Sequence, residues 1–235
     1  MSPARPAAAA LSIVLPVLNE ATGITATLQA LAPLRAQGAE LIVVDGGSRD
    51  DTLALARPAA DAVIDGGAAG IHGRARQMNA GAALARGNTL LFLHADTMLP
   101  PQADALVAAA LHRGAVWGRF DVHIRGASRW LPVVAACMNR RSRWTGIATG
   151  DQAIFVRREV FQRIGGFPAQ PLMEDVEISR RLRRIGAPAC LRQRVTTSGR
   201  RWDERGAWAT IVLMWRLRWQ YWRGVPAEDL ARAYR

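Results

Sequence analysis

The segment from Leu90 to Asp96 constrains the fold most strongly, because a wholly apolar run ends abruptly at polar side chains. Its first four residues are all apolar, which is typical of a strand buried on both faces of a parallel sheet. The run stops at His94 and Asp96, and Pro100-Pro101 follows. In an open α/β sheet, ligands bind just beyond the carboxyl ends of the strands. We therefore expect a carboxylate and an imidazole to lie beside a ligand site.

Similar apolar runs alternate with helical patterns through the first half of the chain. The predicted strands are Leu11–Leu15, Glu40–Val44, Ala62–Ile64 and Thr89–Leu93. This alternation predicts an α/β fold with a doubly wound, mostly parallel sheet and right-handed crossovers. The second half is less regular. It predicts helices over Gln102–His112, Ser128–Arg143, Arg158–Ile164 and Glu174–Ile185, one or two strands over Ala115–Ile124, and a strand over Ala153–Val156.

Composition narrows the class of partner without identifying it. The chain has 235 residues, half of them apolar, so a sizeable core is expected. Its formal net charge of +12 favours an anionic partner: a nucleic acid, an anionic membrane or a phosphorylated substrate. The two cysteines, Cys137 and Cys190, form neither a disulfide framework nor a zinc spacing. A cytoplasmic location, with or without contact at the inner face of the membrane, is the expectation.

The polar residues of the first half collect where predicted strands end. These residues are Asn19, Glu20, Asp45, Ser48, Asp50 and Asp96. Carboxylates suit a hard cation, ribose hydroxyls or a base N–H, but not a bare phosphate. A nucleoside diphosphate held through a bridging metal reconciles these acids with an anionic ligand. The segment Asp45–Ser48 alone is equally typical of an ordinary strand-to-helix turn.

Five motifs in a fixed order resemble family 2 glycosyltransferases. They are Leu15-Pro16-Val17-Leu18-Asn19-Glu20, Val43–Thr52, Ala75-Arg76-Gln77-Met78-Asn79-Ala80-Gly81, Leu93-His94-Ala95-Asp96, and Gly165-Gly166-Phe167-Pro168 followed by Met173-Glu174-Asp175-Val176-Glu177. Together they are far more specific than any one of them. The resemblance covers residues 11–203. It implies a GT-A fold, a nucleotide-sugar donor, Mn²⁺ or Mg²⁺, and inversion at the anomeric carbon.

The motif around His94 departs from the family pattern. His94 stands where the family carries the first aspartate of its Asp-x-Asp metal motif, which leaves Asp96 to hold the metal. His94 then binds a ribose or the metal, or simply packs at the end of the strand. Its His-Ala-Asp sequence and the helix that begins at Arg74 also resemble a small bacterial subgroup of transferases associated with radical-SAM and arsenosugar pathways.

On the donor side, the resemblance implies a nucleoside pocket and a diphosphate site. The residues implied to bind the nucleotide are Pro16, Asn19, Glu20, Asp45, Ser48, Arg76 and His94, with Arg76 near the phosphates. Asp96 is implied to bind the metal that bridges the diphosphate. Arg201, in a late basic-aromatic element, is implied to neutralise the departing diphosphate.

On the acceptor side, the resemblance implies a general base and a binding turn. Asp175, or alternatively Glu174, is implied to deprotonate the acceptor hydroxyl. Without the other motifs, this pair is equally typical of a helix N-terminus. Gly150, Asp151 and Gln152 precede a predicted strand and either face the acceptor or form a plain turn.

Three regions are expected along the chain: a disordered lead-in over residues 1–10, a GT-A-like domain over 11–203, and an amphipathic helical extension over 204–235. In the extension, tryptophans recur at helical spacing with arginines between them. The recurring positions are Trp208, Val212, Trp215, Trp219 and Trp222. A membrane-interface helix, a homodimer seam and simple packing all produce this pattern.

The sequence favours an enzyme with a nucleotide-sugar donor and an unknown acceptor. Two other classes stay open: a related protein that binds a nucleotide without transferring a sugar, and a basic nucleic-acid-binding module. We expect no nucleic-acid partner, because such a module explains neither the acidic strand ends nor the order of the motifs.

Overall fold

An eight-stranded sheet forms the centre of the structure, a computed structural model that describes residues 10–234. The strands are β1 Leu11–Val17, β2 Glu40–Asp45, β3 Ala62–Asp65, β4 Thr89–Phe92, β5 Thr97–Met98, β6 Trp117–Arg125, β7 Ile154–Arg157 and β8 Ala189–Ser198. The helices are α1 Ile24–Ala36, α2 Thr52–Ala56, α3 Arg74–Leu84, α4 Ala103–His112, α5 Leu131–Thr145, α6 Arg158–Arg163, α7 Glu174–Arg183, α8 Arg200–Arg205, α9 Ala207–Trp222 and α10 Ala227–Tyr234. A 3-10 turn spans Gly150–Gln152. The lead-in predicted over residues 1–10 lies outside the described residues except for Ala10.

The sheet order is β3-β2-β1-β4-β7-β6-β8-β5. The four strands β3, β2, β1 and β4 are parallel to one another, as their apolar runs predicted. Strand β1 has β2 on one side and β4 on the other, so the chain reverses its direction of winding there. Ligands of open α/β sheets bind at the carboxyl ends of the strands beside such a reversal. This topology directs attention to the residues that follow β1, β2 and β4.

Pro16 lies inside β1, which corrects the predicted end of this strand at Leu15. Its backbone is paired in register with Val44 of β2, and its side chain is buried. Strand β4 pairs with β1 only as far as Val14. A proline lacks the N–H that a central strand needs, but β1 requires no ladder bond to β4 at this position.

The other half of the sheet, which mixes parallel and antiparallel pairs, contains a long strand that the sequence did not predict. Strand β8 runs parallel to β6, and the register jumps between Phe120 and Asp121. Opposite this jump, Leu191 and Arg194 are the paired residues, so Arg192 and Gln193 bulge out of β8. The bulge interrupts the alternation of apolar and polar residues that marks a strand.

Two-residue strand β5 was also not predicted, although it positions part of the site. Thr97 pairs with Thr197 of β8, and their hydroxyls are hydrogen-bonded at 3.0 Å. This pairing places Asp96 near the end of β8, where Arg200 and Arg201 begin the next helix. A strand of two residues is too short to show the alternation of apolar and polar residues by which strands are predicted.

The two faces of the sheet carry separate hydrophobic clusters. One contains buried residues of α1, α2, α4 and α5, and the other contains buried residues of α3, α6 and α7. Helices therefore cover both faces, as the doubly wound prediction requires. The predicted helices are present, with ends shifted by a few residues.

The C-terminal extension packs on the sheet domain through a third, small cluster. Leu217 of α9 and Leu230 of α10 are both buried against Met173. The packed face of α9 is therefore not the face that carries the tryptophans, since Trp215 and Trp219 are exposed. Among residues 10–234, no helix has the length and apolar character needed to cross a membrane.

A buried polar cluster ties the amino ends of the central strands together. Glu40, the first residue of β2, accepts the hydroxyl of Ser12 at 2.6 Å and two N–H groups of Arg86 at 2.7 and 2.8 Å. The Ser12 hydroxyl also accepts the N–H of Gly87 at 2.9 Å. Burial alone would raise the pKa of Glu40, but the bonds from Ser12 and Arg86 outweigh it and lower the pKa.

We predict that Glu40→Ala lowers the free energy of unfolding by about 2 to 3 kcal/mol, because it leaves buried donors unpaired. Urea unfolding at neutral pH measures this loss. The loss shrinks as the pH falls through the lowered pKa of Glu40, since the carboxylate contributes only when ionised. Glu159→Ala, at an exposed position of α6, is the control and changes stability by less than about 0.5 kcal/mol. A loss no larger than that of the control contradicts the prediction.

Candidate active site

The loops that follow β1 and β2 are fastened together around Asp45. Its carboxylate accepts the N–H groups of Gly47 and Ser48, both at 2.8 Å, and also the Ser48 hydroxyl. That hydroxyl accepts the N–H of Asn19 at 2.8 Å, and the Asn19 side-chain oxygen accepts the N–H of Arg49 at 2.9 Å. Asp45 is only 2% exposed. Asp45 therefore fixes the loop after β2 from its buried side, while Asn19 and Ser48 lie closer to the surface.

Gln77 is a further support of these loops that the sequence analysis missed. It lies on α3 and is buried, and its amide donates to the carbonyls of Val17 and Val44, both at 2.8 Å. These carbonyls belong to the last residue of β1 and the next-to-last residue of β2. A Cβ atom added to Gly46 would lie 3.0 Å from the Gln77 amide nitrogen, so glycine leaves room for this contact. In the sequence, Gln77 follows Arg76 and precedes Met78, a local pattern that does not indicate a buried polar residue.

His94 contacts the 3-10 turn rather than open solvent. Its Nδ1 lies 3.0 Å from the Asp151 carboxylate, and its Nε2 is buried without a hydrogen-bond partner among the described residues. The imidazole rests directly on Gly150, where an added Cβ would lie 2.3 Å from Nε2. His94 thus joins the end of β4 to the turn predicted to face the acceptor.

Asp175 and Glu174 meet His94 at a small cavity. Met78, Phe92, Gly150, Ile154 and Phe167 complete its lining. The Asp175 carboxylate accepts the N–H of Gly150 at 3.0 Å and that of Val176 at 2.7 Å. Burial, followed by the negative charge of Glu174, raises the pKa of Asp175 to about 6, although these two N–H groups oppose the shift. Such a carboxyl changes its protonation state close to neutral pH, as a general base must.

Acidic and basic side chains face one another along the open edge of the site. Burial raises the pKa of Glu20, and the charge of Asp96 adds to the rise while Arg200 and Arg74 oppose it. Arg74 also lies 3.8 Å from Glu174. Burial and the charge of Arg74 lower the pKa of Arg201, whose guanidinium stacks on the Tyr234 ring at 4.4 Å. The edge therefore has several cations beside the predicted metal and base residues.

The position of Arg74 was not foreseen. The resemblance implied Arg76 near the donor phosphates, but Arg76 is exposed and forms no ion pair with another described residue. Arg74 is the first residue of α3, and of the two arginines it is the one with an ion pair to an acid of this edge.

Gln152 is an anchor and not a surface residue, which corrects the expectation that it contacts the acceptor. It is fully buried, and its amide nitrogen donates to the hydroxyl of Ser142 at 3.1 Å. Its amide oxygen accepts the N–H of Thr149 at 3.1 Å, which caps the 3-10 turn. Gly150 and Asp151, by contrast, are partly exposed. The turn is thus fixed to α5 on one side and presents two residues to the site on the other.

Asn79 fixes the Gly-rich turn before α7. Its side-chain amide donates to the Phe167 carbonyl at 2.8 Å and accepts the Phe167 N–H at 2.9 Å. Gly166 has φ +68 and would collide with Asn79 if it carried a Cβ. This pair of bonds holds one wall of the cavity in place.

Asp96 is the residue best suited to a divalent cation. It is exposed, and one carboxylate oxygen accepts the Thr97 hydroxyl at 3.3 Å. No cluster of three or more His, Cys, Asp or Glu residues that could hold a metal exists within residues 10–234. Mg²⁺ commonly binds through one or two carboxylates together with substrate phosphates. The donor set therefore fits a metal shared with a diphosphate, but not a closed protein cage.

We predict that Gly150→Ala destabilises the fold by about 1 to 3 kcal/mol, because the new methyl group displaces the His94 ring. Chemical denaturation measures the loss, and the His94 imidazole resonances in an NMR spectrum report the displacement. Gly23→Ala is the matched control, since a Cβ there meets nothing within 4 Å. Equal stability of the two variants, with unshifted His94 resonances, contradicts the described packing.

Two of the solved structures that resemble this chain cover about nine tenths of it. One is glucosyl-3-phosphoglycerate synthase from Mycobacterium tuberculosis, in complex with Mn²⁺, UDP and glucosyl-3-phosphoglycerate. It is 25% identical, with a TM-score of 0.62, over 92% of this chain and 80% of that one. The other is the mannosyltransferase PcManGT from Pyrobaculum calidifontis, in complex with GDP-Man and Mn²⁺. It is 20% identical, with a TM-score of 0.63, over 89% of this chain and 60% of that one. The fold is therefore the GT-A fold of glycosyltransferases.

Sequence comparison agrees with the fold. The PGL/p-HBAD biosynthesis glycosyltransferase of Mycobacterium tuberculosis is 35% identical over an alignment of 182 residues, and the alignment covers 68% of this chain. The chain spans 64% of the length of that relative. The profile of glycosyl transferase family 2 matches residues 12–166. Because this match covers more than half of the sequence, the chain belongs to glycosyl transferase family 2.

Proposed function

We propose that the protein transfers a sugar from a nucleotide-sugar donor to an acceptor hydroxyl, with a divalent metal and with inversion at the anomeric carbon. The observation that carries the proposal is Asp175, a carboxyl with a pKa of about 6 in a cavity at the carboxyl edge of the sheet. The donor-side loops and Asp96 end at the same edge. Membership of the family supports the reaction class.

Asp175 would act as the general base. Its carboxylate would take the proton of the acceptor hydroxyl while that oxygen attacks the anomeric carbon. The bond from that carbon to the diphosphate breaks on the opposite face, so one displacement inverts the configuration. The N–H groups of Gly150 and Val176 hold the carboxylate in place for this step. Glu174, whose charge raises the pKa of Asp175, would be the tuning neighbour.

On the donor side, Asn19, Glu20 and Ser48 would contact the nucleoside, and Pro16 and Asp45 would support them from below. Asp96 would hold the metal, which when bound acts as a Lewis acid on the diphosphate. Arg74 and Arg201 would stabilise the charge of the departing diphosphate, and a contact from Arg76 stays a prediction. Mn²⁺ is supported by its presence in both structural relatives, and Mg²⁺ fits the same donor set.

A catalytically degenerate nucleotide-binding protein is the second candidate, favoured by one observation. His94 occupies the place of the first metal-motif aspartate, and its Nδ1 is taken by Asp151. In that case a donor would bind without turnover. The relatives above give no support to the narrower radical-SAM and arsenosugar resemblance, which stays a prediction, as does the cytoplasmic location.

The donor site is tested by calorimetric titration of UDP-, GDP- and dTDP-sugars with and without Mn²⁺. We expect one donor to bind in a metal-dependent manner and Asp96→Ala to abolish the effect of Mn²⁺. The control Glu159→Ala, an exposed acid on α6, should bind as the wild type does. Absence of binding by all three donor classes would overturn the proposed donor site.

Turnover is tested without knowledge of the acceptor by slow hydrolysis of the donor that binds. We expect Asp175→Asn to bind that donor normally and to hydrolyse it about 10²–10⁴-fold more slowly, the usual contribution of a general base. Equal hydrolysis by Asp175→Asn and wild type would refute the role of Asp175. Donor binding with no hydrolysis and no transfer by the wild type would favour the degenerate relative.

A further inference from the structure

Helix α9 has an exposed apolar stripe whose members lie outside the three hydrophobic clusters of the described chain. Its members follow one another at spacings of four and three residues, and each is more than half exposed: Trp208, Val212, Trp215, Trp219 and Trp222. The opposite side of the helix is already used, because Leu217 is buried against Met173 and Leu230. Helix α9 therefore has two apolar surfaces: one packs against the rest of the chain through Leu217, and the stripe is exposed.

Helix α5 extends this surface. Trp130, just before the helix, contacts Trp208 edge-on, with ring centroids 5.1 Å apart. Val133 and Trp144 of α5 are also exposed, Trp144 by 75%. Six of the eight tryptophans in the chain are thus exposed on or beside these two helices. We call the α9 stripe together with Trp130 the tryptophan face; Trp144 is exposed at the far end of α5, about 21 Å along the helix from Trp130.

Within α5 and α9 the charged residues beside the tryptophan face are all positive, while Asp203 of α8 accepts the N–H of Ser128 near the Trp130 end of the face. The Arg223 guanidinium lies 4.8 Å from the Trp219 ring, and that of Arg140 lies 4.8 Å from the Trp144 ring. Arg216 lies one helical turn from Val212 and is exposed. Neither α5 nor α9 contains an aspartate or a glutamate. Tryptophan with arginine beside it is the combination suited to the headgroup depth of a membrane.

We propose that the tryptophan face docks on an anionic phospholipid surface, with α9 lying in the plane of the headgroups. The sixteen residues of α9 extend about 24 Å, at 1.5 Å per residue, which is ample for an interfacial helix. The rings enter the interface, and the arginines pair with lipid phosphates. This inference rests on the surface alone and does not depend on the proposed reaction.

The charges favour a lipid surface as the partner of the tryptophan face over a second copy of the chain or a single-stranded nucleic acid. A second copy seated symmetrically on this face would bring arginines against arginines, with no acid on either helix to pair with them. A single-stranded nucleic acid is bound in a groove that follows its backbone, whereas the α9 stripe lies along the outside of a helix. An anionic membrane offers both an apolar layer and phosphate groups.

Docking would also orient the candidate active site. The packed side of α9 contacts Met173, the residue immediately before Glu174 and Asp175. The membrane-facing helix is therefore attached directly to the segment that carries the proposed base. An acceptor presented at the membrane surface would lie near that segment.

The test is vesicle co-sedimentation of the full chain, with phosphatidylcholine vesicles containing none or about 30 mol% phosphatidylglycerol. We expect binding to the anionic vesicles only, weakened by added salt. Trp215→Ser/Trp219→Ser and Arg216→Glu/Arg223→Glu should each reduce the partition coefficient by about tenfold or more. All four positions are exposed or at the surface, so the variants should keep their circular dichroism and melting temperature.

The controls match each change in chemistry at other exposed positions. Leu84→Ser and Ile185→Ser replace exposed apolar residues, and Arg57→Glu and Arg192→Glu reverse exposed charges away from α5 and α9. Binding within about twofold of wild type is expected for all four. Equal losses in these controls would show that only net charge and general hydrophobicity matter, which would overturn the assigned face.

Three other outcomes would overturn the proposal. In the first, the wild type fails to bind anionic vesicles, or the variant Trp215→Ser/Trp219→Ser binds them as well as the wild type does. Light scattering shows a dimer that the tryptophan variant dissociates, so that the face is a self-association interface. A single-stranded oligonucleotide displaces the protein from the vesicles through the same residues. We expect all of these variants to bind the donor as the wild type does. The result for the membrane is therefore independent of the result for the proposed reaction.

Discussion

The Gly150–Gln152 turn is the constraint on which the rest of the candidate site depends. Its third residue is buried and bonded to α5, so the turn cannot move without breaking polar contacts in the interior. Its first residue donates a backbone N–H to Asp175 on α7. Its second residue bonds to His94 at the end of β4. One short segment thus positions a strand end and a helix start against each other, and the cavity with its perturbed carboxyl lies between them.

A second feature of the fold brings opposite charges to the same edge. Strand β8 returns parallel to β6 and pairs with β5, which directly follows Asp96. The chain then turns into α8, whose first residues are Arg200 and Arg201. The acids of the early loops and the arginines of a late helix are therefore neighbours in space. This neighbourhood of acids and arginines is the arrangement on which the proposed metal-bridged diphosphate site rests.

The parallel half of the fold was predictable because each of its strands is a continuous apolar run, buried on both faces. Strand β8 was not, because its bulge places Arg192 and Gln193 within it and removes the alternation. In the site, the strand-end residues were foreseen from position alone. The roles of Gln77 and Arg74 depend on how α3 lies across the strand ends, which no local pattern records. The direction of the α9 tryptophans was likewise undecided until the opposite face was seen to be packed.

The account depends most on Asp175 having a raised pKa in the folded protein, which stability measurements test directly. In an unfolded chain its pKa is near 3.8, so the folded state binds the extra proton between about pH 4 and 6. Ionising the buried carboxyl therefore costs the wild type stability that Asp175→Asn does not lose. We predict that the free energy of unfolding of the variant, minus that of the wild type, rises between about pH 4 and 6 and is constant above about pH 7. A difference that is independent of pH, or that falls over this range, would contradict the account.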